Sequence, residues 1–113
     1  MKDDRIYIEH ISETLQRIAQ YTADGEARFL TDTLIQDAVL RNLQTMAEST
    51  QRLSDSCKAR YPELDWRAIA GFRNVVVHNY LGISLARIWQ IIQRDLPPLQ
   101  QAITKMLADV GYE

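Results

Sequence analysis

Cysteine is almost missing from this chain. Cys57 is the single cysteine in 113 residues, which excludes an internal disulfide and a cysteine-built metal cluster, and a reducing cytoplasm is the expected location. Glycine and proline are scarce as well, at four and three residues, and stand mostly at the joints between longer segments. Long apolar runs are lacking: nothing approaches the ~18 to 20 consecutive apolar residues of a membrane span. The opening MKDDRIYIEH carries three acidic residues in ten and no uninterrupted apolar core, so it does not read as a secretory leader. Nor is there an excess of either charge. A net charge of −2 and a pI near 5.7 exclude a protein that grips nucleic acid through bulk charge, so any nucleic acid must be met by a local site.

What is present is 46% hydrophobic and 25% charged residues, the balance of a soluble globular protein whose length suits one domain, residues 1–113. Strict period-two alternation is missing, and the pattern reads as all-α. Helix one is expected over roughly residues 3 to 21, with Ile8, Ile11, Leu15 and Ile18 on one stripe. Ala23-Asp24-Gly25 ends it, and a short extra turn follows at Glu26 to Leu30. Thr31 or Asp32 can cap a long second helix running to about Arg60, with Ile35, Val39, Met46 and Leu53 along its seam. Asn42 and Ser49 fall on that same seam, which points to incomplete burial or a partner surface. Tyr61-Pro62 closes the helix, since the residue before proline is pushed out of the α region. Asp65 caps a third helix from Trp66 into the valines, with Gly82 at its end. Ser84 opens the last, whose apolar positions pass through Pro97-Pro98 without a slip, predicting a kink or a restarted helix there. The architecture these segments imply is an antiparallel up-down bundle of four main helices plus one short extra helical turn.

Chemistry concentrates in Arg73-Asn74-Val75-Val76-Val77-His78-Asn79-Tyr80. An imidazole can exchange a proton near neutral pH, and a guanidinium stays charged and matches the oxygens of a phosphate. Together they suit in-line cleavage of RNA with the ribose 2′-hydroxyl as nucleophile and no metal. Tyr80 adds a phenol, and Asn74 and Asn79 add polar groups able to orient phosphate or imidazole. The spacing alone is weak, because Arg5 and His10 repeat it within a good helical stretch, where five residues turn through about 500° and leave side chains some 140° apart. That pair reads as helix surface or core edge. The valine run weakens helix propensity, so the turn before His78 is expected to be distorted, returning the imidazole toward the guanidinium. The other route to convergence runs across a two-fold axis between two copies. On residue chemistry alone, a C-terminal helix cap at His78 with Arg73 in a surface ion pair fits equally well.

Secondary candidates carry blander readings. Asp37 and Arg41, one turn apart, suit a surface pair of ~0.3 kcal/mol. Trp66 and Trp89 suit the core more than base stacking. Lys58, Arg60 and Arg67 suit a solvated face, and Cys57 a small buried side chain.

The segment Trp66-Arg67-Ala68-Ile69-Ala70-Gly71-Phe72-Arg73 through Tyr80 resembles the signature of the HepT branch of the HEPN superfamily. Thr33 to Leu43 resembles that family's long second helix, and Trp89 to Leu99 its last. One departure is Ala47-Glu48-Ser49, where many relatives carry Gly-Glu-Ala, which bears on close backbone approach at position 47. The resemblance implies a HEPN-like, homodimeric ribonuclease toxin of a toxin-antitoxin system, needing no metal or other cofactor, with sites in a cleft at the dimer interface. By the same resemblance Arg73 would stabilise charge on the phosphate and His78 act as general base or acid, with Asn74 and Asn79 supporting the site. Tyr80 would be the residue modified with AMP by an MntA-like nucleotidyltransferase antitoxin. A reading from another class is a non-catalytic helical module that partners a minimal nucleotidyltransferase and holds a phosphate without cutting it. A purely structural dimerisation bundle is the third.

Overall fold

In α1 (Lys2–Tyr21) the stripe of Ile8, Ile11, Leu15 and Ile18 turns inward, and all four side chains are buried. Each such burial stabilises the fold by about 1.5–3 kcal/mol relative to exposure. The computed structural model describes the backbone over residues 2–79 and 84–111, and side chains over 4–77 and 84–109. Within those residues the chain is all helical.

At the end of α1 the backbone reaches a positive φ of 94° at Gly25, a conformation glycine adopts without steric cost. A short α2 (Glu26–Thr31) follows, at the place expected for the extra turn. Its buried Phe29 meets Trp89 with ring centroids 5.5 Å apart. Asp32 then caps α3 (Thr33–Arg52), accepting from the backbone N–H groups of Leu34 and Ile35.

The second helix does not run to Arg60. It stops at Leu53, whose ψ of 143° is extended, and a separate α4 (Asp55–Ala59) begins after Ser54. The reason is a competing set of hydrogen bonds. Ser54 donates its backbone N–H to Asp4 Oδ1 at 2.8 Å and its hydroxyl to Asp4 Oδ2 at 2.7 Å, while its Oγ accepts from the Cys57 N–H. A serine so engaged serves better as a cap than as a helix interior residue.

Asp65 caps α5 (Trp66–Asn79) through the Ala68 N–H at 3.0 Å, as expected. The distortion expected before His78 is not found: α5 continues regularly across Val75–Val77 to Asn79. Val76 is fully buried and Val75 packs against the core, and that packing outweighs the few tenths of a kcal/mol by which valine disfavours a helix. Gly82, expected as the helix end, lies outside the described residues.

Ser84 caps α6 (Leu85–Gln90) through the Arg87 N–H. A π-helical segment, Ile91–Asp95, widens the chain before α7 (Leu96–Gly111). Where Pro97-Pro98 predicts a kink or a restarted helix, the helix runs unbroken from Leu85 to Gly111 and carries this π-helical turn instead. Both prolines follow that turn directly, and the wider turn before them relieves the clash of their rings with the preceding carbonyls.

Paired contacts give the packing direction. Asp4 meets Ser54 and His10 meets Ser49, so α1 and α3 lie antiparallel. α5 packs on the other flank of α3, and α7 packs on α1. The expected four-helix arrangement holds, with α4 as an additional short helix created by the break at Leu53. Asn42 and Ser49 are buried on the α3 seam, correcting the expectation of partial exposure. Asn42 donates to the Ala38 carbonyl and Ser49 bonds His10, so neither polar group is stranded.

Candidate active site

Arg73 stands on α5 with its side chain 51% exposed, and its Nε lies 3.9 Å from Oε2 of Glu48 on α3. At that distance the pair is loose, and in a half-exposed setting it contributes little to stability. The guanidinium therefore stays open to a stronger anionic partner.

Two polar grooves meet at Arg73. One, of about 580 Å3, is lined by Arg67, Gly71, Arg73, Asn74 and Val77 of α5 together with Gln51 of α3. The other, of about 440 Å3, lies between Tyr7 and His10 of α1 and Arg73, over Glu48, Ser49 and Arg52 of α3. Gln51 and Arg73 border both. Arg73 is thus the shared wall of a trench that crosses α3 from α1 to α5.

Asn74 is exposed beside Arg73 and faces the first groove. His78 and Asn79 belong to the last turn of α5, but their side chains lie outside the described residues, as does the whole of Tyr80. Positions 73 and 78 are on one regular helix, about 140° apart around its axis. The backbone does not bring them together within one chain.

The Arg5 and His10 pair separates as its spacing requires. Arg5 binds Glu9 at 3.1 Å on the surface, whereas the half-buried His10 turns to α3, with Nδ1 2.6 Å from Ser49 Oγ. His10, expected at the helix surface or core edge, is at the core edge, and there it borders the groove beside Arg73, a role not expected from the sequence. No local pattern could have shown this, because its partners lie 39 and more positions away.

Other candidates resolve simply. Trp66 donates its indole N–H to the carbonyls of Lys58 and Tyr61, and Trp89 packs on Phe29: both are half-buried and packed against the core. Asp37 and Arg41 are exposed and form no ion pair with each other. Cys57 is buried, and burial pushes its thiol up from the ordinary value. Among the described residues, no three His, Cys, Asp or Glu side chains gather around a point that could hold a metal ion. No described helix is long and apolar enough to cross a membrane.

The described residues are thus those of an all-helical protein with a half-exposed arginine, part of the Arg-x-x-x-x-His-x-Tyr string, where two polar grooves meet. The ribonuclease HepT-like family matches residues 11–106, and the chain belongs to that family of RNA-cleaving enzymes. It is 30% identical over 113 residues to a putative RNase of Methanocaldococcus jannaschii, covering 99% of this chain and 93% of the relative. It is also 30% identical over 101 residues to a probable ribonuclease HepT of Thermococcus cleftensis, covering 88% of this chain and 92% of that one. A third relative, a gamma-glutamylcyclotransferase and putative RNase of M. jannaschii, is 31% identical over 96% of this chain, which spans only 50% of that protein's length. No solved structure matches.

Proposed function

We propose that this chain is a metal-independent endoribonuclease that acts as the toxin of a toxin-antitoxin pair. The ribose 2′-oxygen attacks the adjacent phosphorus while a base removes its proton, and the bond from phosphorus to the 5′-oxygen breaks as an acid returns a proton to the leaving oxygen. The products are a 2′,3′-cyclic phosphate and a 5′-hydroxyl. Arg73 stabilises the charge on the non-bridging oxygens, His78 exchanges protons, and Asn74 and Asn79 orient the phosphate or the ring.

The observation that carries this reading is Arg73 itself, half-exposed, loosely held by Glu48 and placed where two polar grooves meet. The angular separation of positions 73 and 78 on an unbroken α5 supports completing the site from two copies in a homodimer. Exposed Val77 and an open Gly71 on the same helix give a second protomer room to approach. An MntA-like nucleotidyltransferase is the antitoxin of this reading. By adding AMP to Tyr80 it would place phosphate charge beside the site and repel RNA.

Arg73→Ala and His78→Ala test the assignment. Each should lower RNA cleavage at least about a hundredfold and relieve growth inhibition while helical content and oligomeric state persist. Undiminished cleavage by both variants would move the active site elsewhere. Mass spectrometry after co-expression with the antitoxin should find AMP on Tyr80.

A further inference from the structure

The groove on the α1 side of Arg73 has features that Arg73 and His78 do not use. Arg52, in the last turn of α3, lies over the ring of Tyr7 with its guanidinium carbon 5.9 Å from the ring centroid. At that distance the contact is a weak cation–π attraction that draws the exposed guanidinium toward the groove and leaves its N–H groups free to donate. His10 is fixed from the other side by Ser49 at 2.6 Å. Only Nδ1 is engaged there among the described residues, and the ring borders the groove. His10, held by a hydrogen bond, and Arg52, drawn to an aromatic face, thus border the same space as Arg73.

Charge points the same way. The groove contains Arg52 and Arg73 against Glu48 alone, a local positive balance on a chain whose net charge is −2. Arg67 extends it into the adjoining groove. Glu48 lies 3.9 Å from Arg73 Nε and offsets one of the two guanidinium charges in the groove, leaving the balance positive. At about 440 Å3 the space is of ligand size.

We propose that Arg52 and His10 form a second phosphate subsite, one that receives the backbone of a single-stranded RNA next to the scissile phosphate at Arg73. The inference rests on the ribonuclease reading of Arg73 and deepens it by naming the substrate as a strand laid across α3, from α1 to α5. Arg52 binds the neighbouring phosphate with its free edge, and His10 donates or accepts at the same phosphate or its ribose. His10 is a substrate-contacting residue here, with no role in proton transfer assigned to it.

The test is fluorescence anisotropy of the 113-residue chain with an RNA oligonucleotide blocked by a 2′-deoxy sugar at the scissile position, over a salt series. Arg52→Ala should weaken binding about fivefold to tenfold and reduce the slope of log K against log salt by about 0.7, the value for one single-strand phosphate contact. His10→Gln should weaken binding by a smaller factor, and Arg52→Lys should fall between Arg52→Ala and wild type. Arg17→Ala, removing an exposed arginine paired with Glu13 outside the trench, serves as the control for general charge. Helical content read by circular dichroism verifies that each variant is folded. Unchanged binding in Arg52→Ala, or an equal loss in Arg17→Ala, overturns the subsite. The two readings fail separately: wild type that binds the blocked strand but does not cut the all-ribose one overturns the nuclease and leaves the subsite. Wild type that cuts RNA while Arg52→Ala binds normally overturns the subsite alone.

Discussion

Asp4 ties the start of α1 to the joint between α3 and α4. Burial works against its charge, but the two hydrogen bonds from Ser54, helped by Arg60, outweigh burial and hold the carboxyl below its ordinary value. A carboxylate with a lowered folded-state pKa adds stability that is complete above its unfolded value. That stability is lost as pH falls through the folded one. Asp4→Ala should therefore cost about 2 kcal/mol at neutral pH and flatten the loss of stability below about pH 4, read from urea midpoints across pH. Tyr61 has the opposite sense. Burial first, then its hydrogen bond to Asp109 Oδ2 at 2.9 Å, push its phenol up to about 12. Its contribution is complete below about pH 10 and is lost as pH rises toward the folded value. Tyr61→Phe should cost about 1 kcal/mol at neutral pH and remove part of the alkaline unfolding limb. An alkaline limb unchanged in that variant would show that the phenol does not carry it. Caps at Asp32 and Asp65 were legible in sequence because a cap and its N–H groups are two or three residues apart. Asp4 and Ser54 are 50 positions apart, and only the fold joins them.

Among the elements, the amphipathic stripe of α1, the short α2, the capped starts of α3 and α5 and an irregular turn next to the prolines follow from local spacing. Two expectations failed because tertiary packing overrides local preference. The valines of α5 stay helical because Val76 is buried, and α3 stops at Leu53 because Ser54 is claimed by a residue of α1. In hindsight Ser54-Asp55 was a visible stop, a cap residue followed by an acid in the first turn of α4. Gly71 gives an element-scale prediction. A Cβ added there meets nothing within 4 Å, so packing within the chain does not require glycine inside α5. Gly71→Ala should raise stability by about 0.5–1 kcal/mol in dilute protein, seen as a higher urea midpoint at unchanged slope. Gly71→Leu should weaken self-association in sedimentation velocity while the chain stays helical. A lower midpoint for Gly71→Ala at every concentration would contradict the open face.

At the scale of the whole molecule, three helices matter most: α3 forms a floor, with α1 and α5 beside it. Arg73 lies where the grooves on that floor join. The motif string was legible in sequence, since its residues are contiguous and the family resemblance rests on them. The trench was not, because His10, Arg52 and Arg73 come from three helices. Spacing along the chain offers no reason to place His10 and Arg73 together, while the separation of Arg5 from His10 expected from helix geometry is what the structure shows. The central claim is that this trench holds RNA while its own 2′-hydroxyl cuts it at Arg73. The most direct measurement is cleavage of an RNA oligonucleotide with a defined cut site, compared with the same strand carrying a 2′-deoxy sugar at that position. The account predicts a 2′,3′-cyclic phosphate end on the first and no cleavage of the second; cutting of the deoxy-substituted strand at the same position would contradict it.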